Sequence, residues 1–200
     1  MEIGSNFSFG LFAKKNFLDQ ELCESIRLGM SSSTGTPARI VITNECLLDE
    51  NVRRTVEKEV SNDSRALLHD KLSAVKGELE AYFNITLSHP QDPKFLYYRE
   101  GDFFQRHVDK GINPKNPQEA RDRKVSTIVF LNNEAGEPGN ASYTGGSFII
   151  YGILSDPRFE SHGFKCPGTT GMLIAFRSEL FHEVTPVTSG VRYTVVNWFV

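Results

Sequence analysis

From Lys94 onward the chain reads as a succession of short strands separated by turn residues, and this limits most sharply what it can fold into. The segments Phe95–Tyr98, Phe103–Asp109, Val125–Leu131, Ser147–Leu154, Gly171–Phe176, Phe181–Val187 and Val191–Phe199 are rich in aromatic and β-branched residues. Gly, Pro, Asn and Asp punctuate them, and no helical period falls between. Strands at this density must bury their faces against one another, which predicts a sandwich or jelly roll. Two longer stretches, Gly111–Arg123 and Asn133–Thr144, interrupt the strands. Loops of that length in a compact β domain are often lids or binding loops.

The first half is different in kind. Phe7–Phe17 is an aromatic-rich early strand, and Asp19 is an N-cap for a helix over Gln20–Leu28 that Gly29 ends. Ser31–Pro37 reads as a polar loop and Arg39–Thr43 as a β-branched strand. Val52, Val56 and Val60, spaced by four, fit either period. Asp63 or Ser64 caps the clearest helix, whose Leu68, Leu72, Val75, Leu79 and Tyr82 form one apolar stripe suited to covering a sheet. The expectation is therefore α+β: a single domain over residues 1–200, with 1–93 as support and 94–200 as the β core.

Composition narrows the function classes. Apolar residues make up 39% and charged residues 24%, ordinary for a soluble globular chain. A formal charge of −3 gives no electrostatic footprint for nucleic acid and no polybasic membrane patch. Met1–Gly10 has neither the basic nor the apolar region of a secretion signal, and no apolar run approaches the roughly 20 residues of a membrane span. Cys23, Cys46 and Cys166 are odd in number and far apart, which predicts free thiols in a reducing, cytoplasmic setting. In that setting the N-x-S/T triplets at Asn6, Asn84 and Asn140 are chance matches.

Chemistry concentrates at Tyr98–Asp109. Gly101 and Asp102 read as a turn. On the strand that follows, residues two apart share a face, so His107 and Asp109 project together. His182, in Leu180–Val184, is a candidate third ligand. Two imidazoles and one carboxylate on one face of a metal leave the other face open, an arrangement that suits non-haem Fe(II) oxygenases.

Several blocks taken in order extend this. They are Tyr98…Gly101…Phe104…His107-x-Asp109, Phe130-Leu131-Asn132, Gly145-Gly146-Ser147-Phe148 and His182…Gly190-x-Arg192…Trp198-Phe199. Together they resemble the prolyl 4-hydroxylase-like Fe(II)/2-oxoglutarate-dependent dioxygenases over roughly Phe95–Phe199. The resemblance implies a double-stranded β-helix (jelly roll) with N-terminal packing helices, and metal ligands at His107, Asp109 and His182. It implies Fe(II), 2-oxoglutarate as cosubstrate and O2, with ascorbate as a candidate reductant. The reaction would hydroxylate a C–H bond, best matched by a prolyl residue in a peptide or protein, and release succinate and CO2. Arg192 would grip the distal carboxylate of 2-oxoglutarate as a planar fork. Tyr98 is a candidate hydroxyl donor to it. Trp198 shares a strand face with Arg192, Thr194 and Val196 and would look into the same cavity. Phe130 stands where some relatives have a cosubstrate-binding tyrosine, so one hydrogen bond is missing or replaced.

Other residues take plainer readings. His69, His89 and His162 are structural or solvated, Gly145 and Gly146 serve a turn or a close backbone approach, and Glu183 points away from its neighbouring ligand. The alternative substrate is a small molecule or free amino acid. A non-catalytic metal-binding jelly roll is a weaker alternative, because it has no use for Arg192. Nucleic acid is weaker still, for want of a basic stripe.

Overall fold

The computed structural model describes residues 10–42, 45–137, 141–154 and 157–200, and of 41, 42, 45–47 and 157 only the backbone. Phe7 to Phe9, Asn6, Thr43, Asn140 and the side chain of Cys46, all read above, lie outside that description.

The chain begins with β1 (Leu11–Lys14), α1 (Gln20–Ser32), β2 (Gly35–Pro37), β3 (Ile40–Ile42), β4 (Glu45–Leu47), β5 (Arg53–Arg54) and β6 (Val56–Lys58). It continues with α2 (Asn62–Phe83), β7 (Lys94–Tyr98), β8 (Phe103–His107), α3 (Gln118–Arg121), β9 (Val125–Phe130), β10 (Asn133–Glu134) and β11 (Ser142–Gly145). The last part is β12 (Phe148–Tyr151), a 3-10 turn at Pro157–Phe159, β13 (Gly163–Cys166), β14 (Leu173–Arg177), β15 (His182–Val184), β16 (Val187–Gly190) and β17 (Arg192–Phe199).

Two antiparallel sheets dominate. The larger has the order β1-β14-β9-β17-β7-β6-β2, and the smaller has β13-β12-β15-β8-β5. β10, β11 and β16 form a third, and β3 and β4 a two-stranded ribbon. The large sheet separates two cores. On one face Leu68, Leu72, Val75 and Leu79 of α2 and Ile26 and Met30 of α1 meet Phe95, Val129, Val195 and Phe199. On the other, Leu96, Ile128, Phe130 and Ile174 face Phe148, Ile150 and Val184 of the smaller sheet. Alternate residues of the same strands thus serve opposite cores, as the two-residue period of a strand requires.

The helices differ from expectation at their ends. Asp19 does cap α1, its carboxylate accepting from Leu22 N–H at 2.8 Å. Gly29, however, does not end it. The helix continues to Ser32 because Met30 is fully buried, and that anchorage outweighs the roughly 1 kcal/mol cost of an internal glycine. Ser61, not Asp63 or Ser64, caps α2 by accepting from Ser64 N–H. The Ser31–Pro37 segment is not wholly loop: Gly35–Pro37 pairs with Val56–Lys58. Of the three ambiguous valines only Val56 is in a strand, since Val56–Lys58 zips onto Phe95–Tyr97, while Val52 lies in a turn and Val60 lies just before α2 in neither helix nor strand. Phe181–Val187 divides between two sheets, with His182–Val184 in one and Val187–Gly190 in another. Of the two long loops, the first carries α3 and the second β10 and the start of β11. Among the described residues no helix is long and apolar enough to cross a membrane.

Cys23 and Cys166 are free and buried. Burial pushes their thiols up from the ordinary value of 9.0, to about 11 and about 12 respectively. In the folded protein at pH 8 both should therefore resist iodoacetamide and become labelled only on unfolding, as read by mass spectrometry. Rapid native labelling of either would contradict this packing. Because the unfolded thiols ionise first, stability should fall as pH rises from about 9 toward the folded values.

Candidate active site

The turn between β7 and β8 is the site's foundation. Gly101 takes a positive φ of 83°, and the buried Asp102 carboxylate accepts from Arg99 N–H at 2.8 Å. The backbone of the same turn pairs with Val187, tying it to the strand that leads toward Arg192. The turn moves the chain from the large sheet to the small one, so Tyr98 and His107 end on facing walls.

β8 pairs with β15 so that His107 stands directly opposite His182. The strand ends at His107, earlier than its sequence suggests, and Asp109 lies just beyond in a bend whose N–H donates to the Ser178 carbonyl. Asp109 still turns inward. Its Oδ1 lies 3.7 Å from His107 Nε2 and its Oδ2 lies 3.4 Å from His182 Nε2. One ligand atom from each residue falls within 4.8 Å of the other two.

The tautomers suit a cation. His107 Nδ1 lies 2.7 Å from the Gln105 carbonyl and His182 Nδ1 lies 3.0 Å from that of Leu180. Each Nδ1 therefore carries a proton, which leaves both Nε2 lone pairs facing Asp109. Burial, helped by the neighbouring His107, pushes His182 down to about 4, so it is neutral at physiological pH. Burial opposes ionisation of Asp109, but the positive charge that His182 and His107 carry when protonated in acid, together with the nearby Trp198 indole, holds its carboxyl well below the usual carboxylate range. The Trp198 Nε1 is itself buried without a hydrogen-bond partner. Two neutral nitrogens and one anionic oxygen fit a divalent metal, and the open side faces a cavity of about 810 Å³.

β17 forms the floor of that cavity. Arg192, Thr194, Val196 and Trp198 all line it, as their shared strand face predicts. Arg192 is completely buried, with Nη1 donating to Thr194 Oγ1 at 3.2 Å. Its Nε and Nη2 are buried without a partner. The guanidinium lies 4.8 Å from the Tyr98 ring centroid and 5.6 Å from that of Phe130, whose edge offers no hydroxyl. A buried cation this short of acceptors is costly unless an anionic ligand completes it.

Three contributors escaped the sequence reading. Arg53 stacks on Phe104 at 4.5 Å, and Phe104 in turn stacks on His107 at 3.5 Å. Arg123 covers Trp198 at 3.7 Å and donates to the Asp109 carbonyl at 3.3 Å. Tyr143, fully buried, lies beside Arg192 from outside the cavity. Arg123 closes a loop already singled out by its length, whereas nothing local distinguishes Arg53 or Tyr143. His69 is half-buried, His89 and His162 are exposed, and none joins the metal-binding cluster. Glu183 faces away and accepts from Tyr151 Oη at 2.7 Å.

The profile of the 2OG-Fe(II) oxygenase superfamily matches residues 93–200. The chain belongs to that superfamily. Membership in the 2OG-Fe(II) oxygenases brings Fe(II), 2-oxoglutarate and O2 as the implied cofactors, and the His107–Asp109–His182 cluster fits the metal among them. A PKHD-type hydroxylase of Nitrobacter winogradskyi is 36% identical over 107 residues, covering 53% of this chain and 42% of that one. Another from Paracoccus denitrificans is 29% identical over 150 residues, 74% of this chain and 60% of that one. The matched regions thus span less than two thirds of these curated relatives. Among solved structures, a Pseudomonas putida prolyl-4-hydroxylase aligns with a TM-score of 0.71 at 20% identity, covering 96% of this chain and 92% of that one. A Trichoplax adhaerens prolyl hydroxylase, solved with a peptide fragment of hypoxia inducible factor, aligns at 0.68 with 20% identity over 96% and 83%. These likenesses establish the 2OG-Fe(II) oxygenase fold, the jelly roll with packing helices that the strand pattern had indicated.

Proposed function

We propose that this chain is a 2-oxoglutarate-dependent hydroxylase whose substrate is a prolyl residue within a peptide or protein. One observation carries the reading: a two-histidine, one-carboxylate cluster opens on the same cavity as a buried guanidinium short of acceptors. A metal-binding module has no need of the second feature. An oxygenase that must hold a dicarboxylate at a fixed depth needs both.

The roles follow from position. His107, Asp109 and His182 would hold Fe(II) and leave its cavity side open. Arg192 would pair with the distal carboxylate of 2-oxoglutarate, with Thr194 steadying one of its nitrogens. Tyr98 lies against that guanidinium on the same wall and completes the cosubstrate's surroundings. Phe148 and Phe176 flank His182, with ring centroids 5.6 and 4.8 Å away, and keep water from that side of the metal. Trp198, under Arg123, closes the side next to Asp109. With its cofactors bound the site would insert one atom of O2 into a substrate C–H bond. The other atom would enter succinate as 2-oxoglutarate loses CO2.

The preference for a peptide has two supports. The solved structures with this fold include a prolyl-4-hydroxylase and a prolyl hydroxylase bound to a peptide fragment. In addition, the cavity reaches the loop after Asp109, where Gly111, Ile112, Asn116, Ala120 and Arg123 line it. Leu48 and Ile112 stand at this rim 54% and 81% exposed, apolar surface that an extended chain could cover. Proline-rich peptides already favour an extended helix, so ordering one there costs comparatively little entropy.

The test is mass spectrometry of proline-containing peptides beside free amino acids and small heterocycles, at matched Fe(II) and 2-oxoglutarate. The expected result is a gain of one oxygen on peptide proline. Efficient coupled turnover of a small molecule, with every peptide left unmodified, would assign the site to the alternative substrate class.

A further inference from the structure

Arg192 is held on one side by Thr194, while its Nε and Nη2 lack partners. Phe130, across from it, contributes a ring but no oxygen. Outside the cavity, Tyr143 brings a hydroxyl within reach of the Arg192 charge. β11 pairs with β16 so that Tyr143 stands opposite Gly190, just before Arg192 enters the floor strand. The Tyr143 side chain is fully buried, its Oη also has no hydrogen-bond partner, and it lies close enough for the Arg192 charge to act on it. Two unsatisfied groups, one with N–H to donate and one with lone pairs to accept, face each other in a space sealed from water.

That space has been kept open. Gly146 has a φ of 56°, and a Cβ there would lie 3.1 Å from Arg192 Cδ and 3.3 Å from Tyr143 Cε2. A Cβ on Gly168 would come within 2.6 Å of Tyr143 Oη. Glycines on two separate segments thus leave just enough room for phenol and guanidinium side by side. Behind the phenol lies Glu134, which accepts from Ser147 Oγ and Lys165 Nζ, each at 2.6 Å. Tyr143 therefore stands between a buried cation and a carboxylate that Lys165 links to the surface. It can accept from Arg192 while its own proton points toward Glu134.

We propose that Tyr143 is a positioning residue for Arg192, fixing the guanidinium's orientation toward the distal carboxylate of 2-oxoglutarate and offsetting the hydroxyl absent at Phe130. This rests on the cosubstrate reading of the site. It acts from behind the arginine, outside the cavity lining, so it touches neither metal nor cosubstrate.

The test compares two chelators on the Mn(II)-loaded protein by titration calorimetry. 2-Oxoglutarate uses both the metal and Arg192, whereas oxalate can use the metal alone. Tyr143→Phe should weaken 2-oxoglutarate by roughly 5- to 20-fold, the scale of a hydrogen bond to a charged group, and leave oxalate and Mn(II) affinity unchanged. Gly168→Ala, which crowds Oη without removing it, should move the same ratio in the same direction. Arg192→Ala serves as the benchmark. If that variant discriminates between the chelators and Tyr143→Phe does not, the positioning role is wrong and the cosubstrate site stands. If Arg192→Ala fails to discriminate, the cosubstrate reading itself falls. Equal weakening of both chelators by Tyr143→Phe would mark a merely structural residue and overturn the proposal.

Discussion

His107→Ala and His182→Ala should each lose stoichiometric metal binding and all turnover. The three ligand atoms sit within 4.8 Å of one another, and removing one imidazole leaves a two-donor site open to water. Losing an outer-shell partner of a metal site typically costs about 10- to 100-fold in affinity, so losing a ligand should exceed the upper end of that range. Asp109→Asn is a sharper variant because it keeps the shape and removes the only anionic donor. Metal content after dialysis, with Mn(II) or Co(II) as stable stand-ins for Fe(II), gives the readout. Divalent affinities are not selective for iron, so the stand-ins report the same donor set. A shared melting temperature with the parent chain would exclude a folding defect. Wild-type loading in either histidine variant would show that the metal lies elsewhere.

Arg192→Ala should spare the metal and raise the requirement for 2-oxoglutarate. A bidentate, charge-assisted pair in so buried a place is worth about 2–3 kcal/mol, which corresponds to a roughly 30- to 150-fold weakening. Lysine at this position should recover only part of the loss, since a point charge replaces a planar fork that Thr194 and two aromatic rings are shaped to hold. Succinate release measured against 2-oxoglutarate concentration, with metal content in parallel, separates the two functions. An unchanged dependence on 2-oxoglutarate would point to another cation, with Arg123 the first to examine because it lines the same cavity.

What could be read from the chain alone follows the range of the interactions. His107 and Asp109 are neighbours in sequence, and the aromatic turn before them marks where they stand. The seven β segments from Phe95 on were legible through their aromatic and β-branched content and the turn residues between them, signals that need no knowledge of the partner strand. Endpoints were less legible, as Gly29 shows: whether a helix crosses a glycine depends on what Met30 meets on the sheet. Val56 became strand only because Tyr97 was available to pair with it. Arg53 and Tyr143 were silent for the same reason. Their meaning comes from Phe104 over His107 and from Arg192 across a neighbouring sheet, contacts that fold creates and local pattern does not contain.

β17 has a consequence for how such a chain can change. Its even-numbered residues from Arg192 to Trp198 line the reaction chamber, while Val195 and Phe199 belong to the core beneath α2. Strands on both sides hold it in register. Chamber floor and helical core are therefore two sides of one plank, and a change that tilts either disturbs both. The rim is built otherwise: Leu48 and Ile112 stand on exposed segments, where exchanges usually alter stability by no more than about 0.5 kcal/mol. A descendant that acquires a new substrate has an inexpensive route through these rim positions, with the ligands and the floor inherited intact.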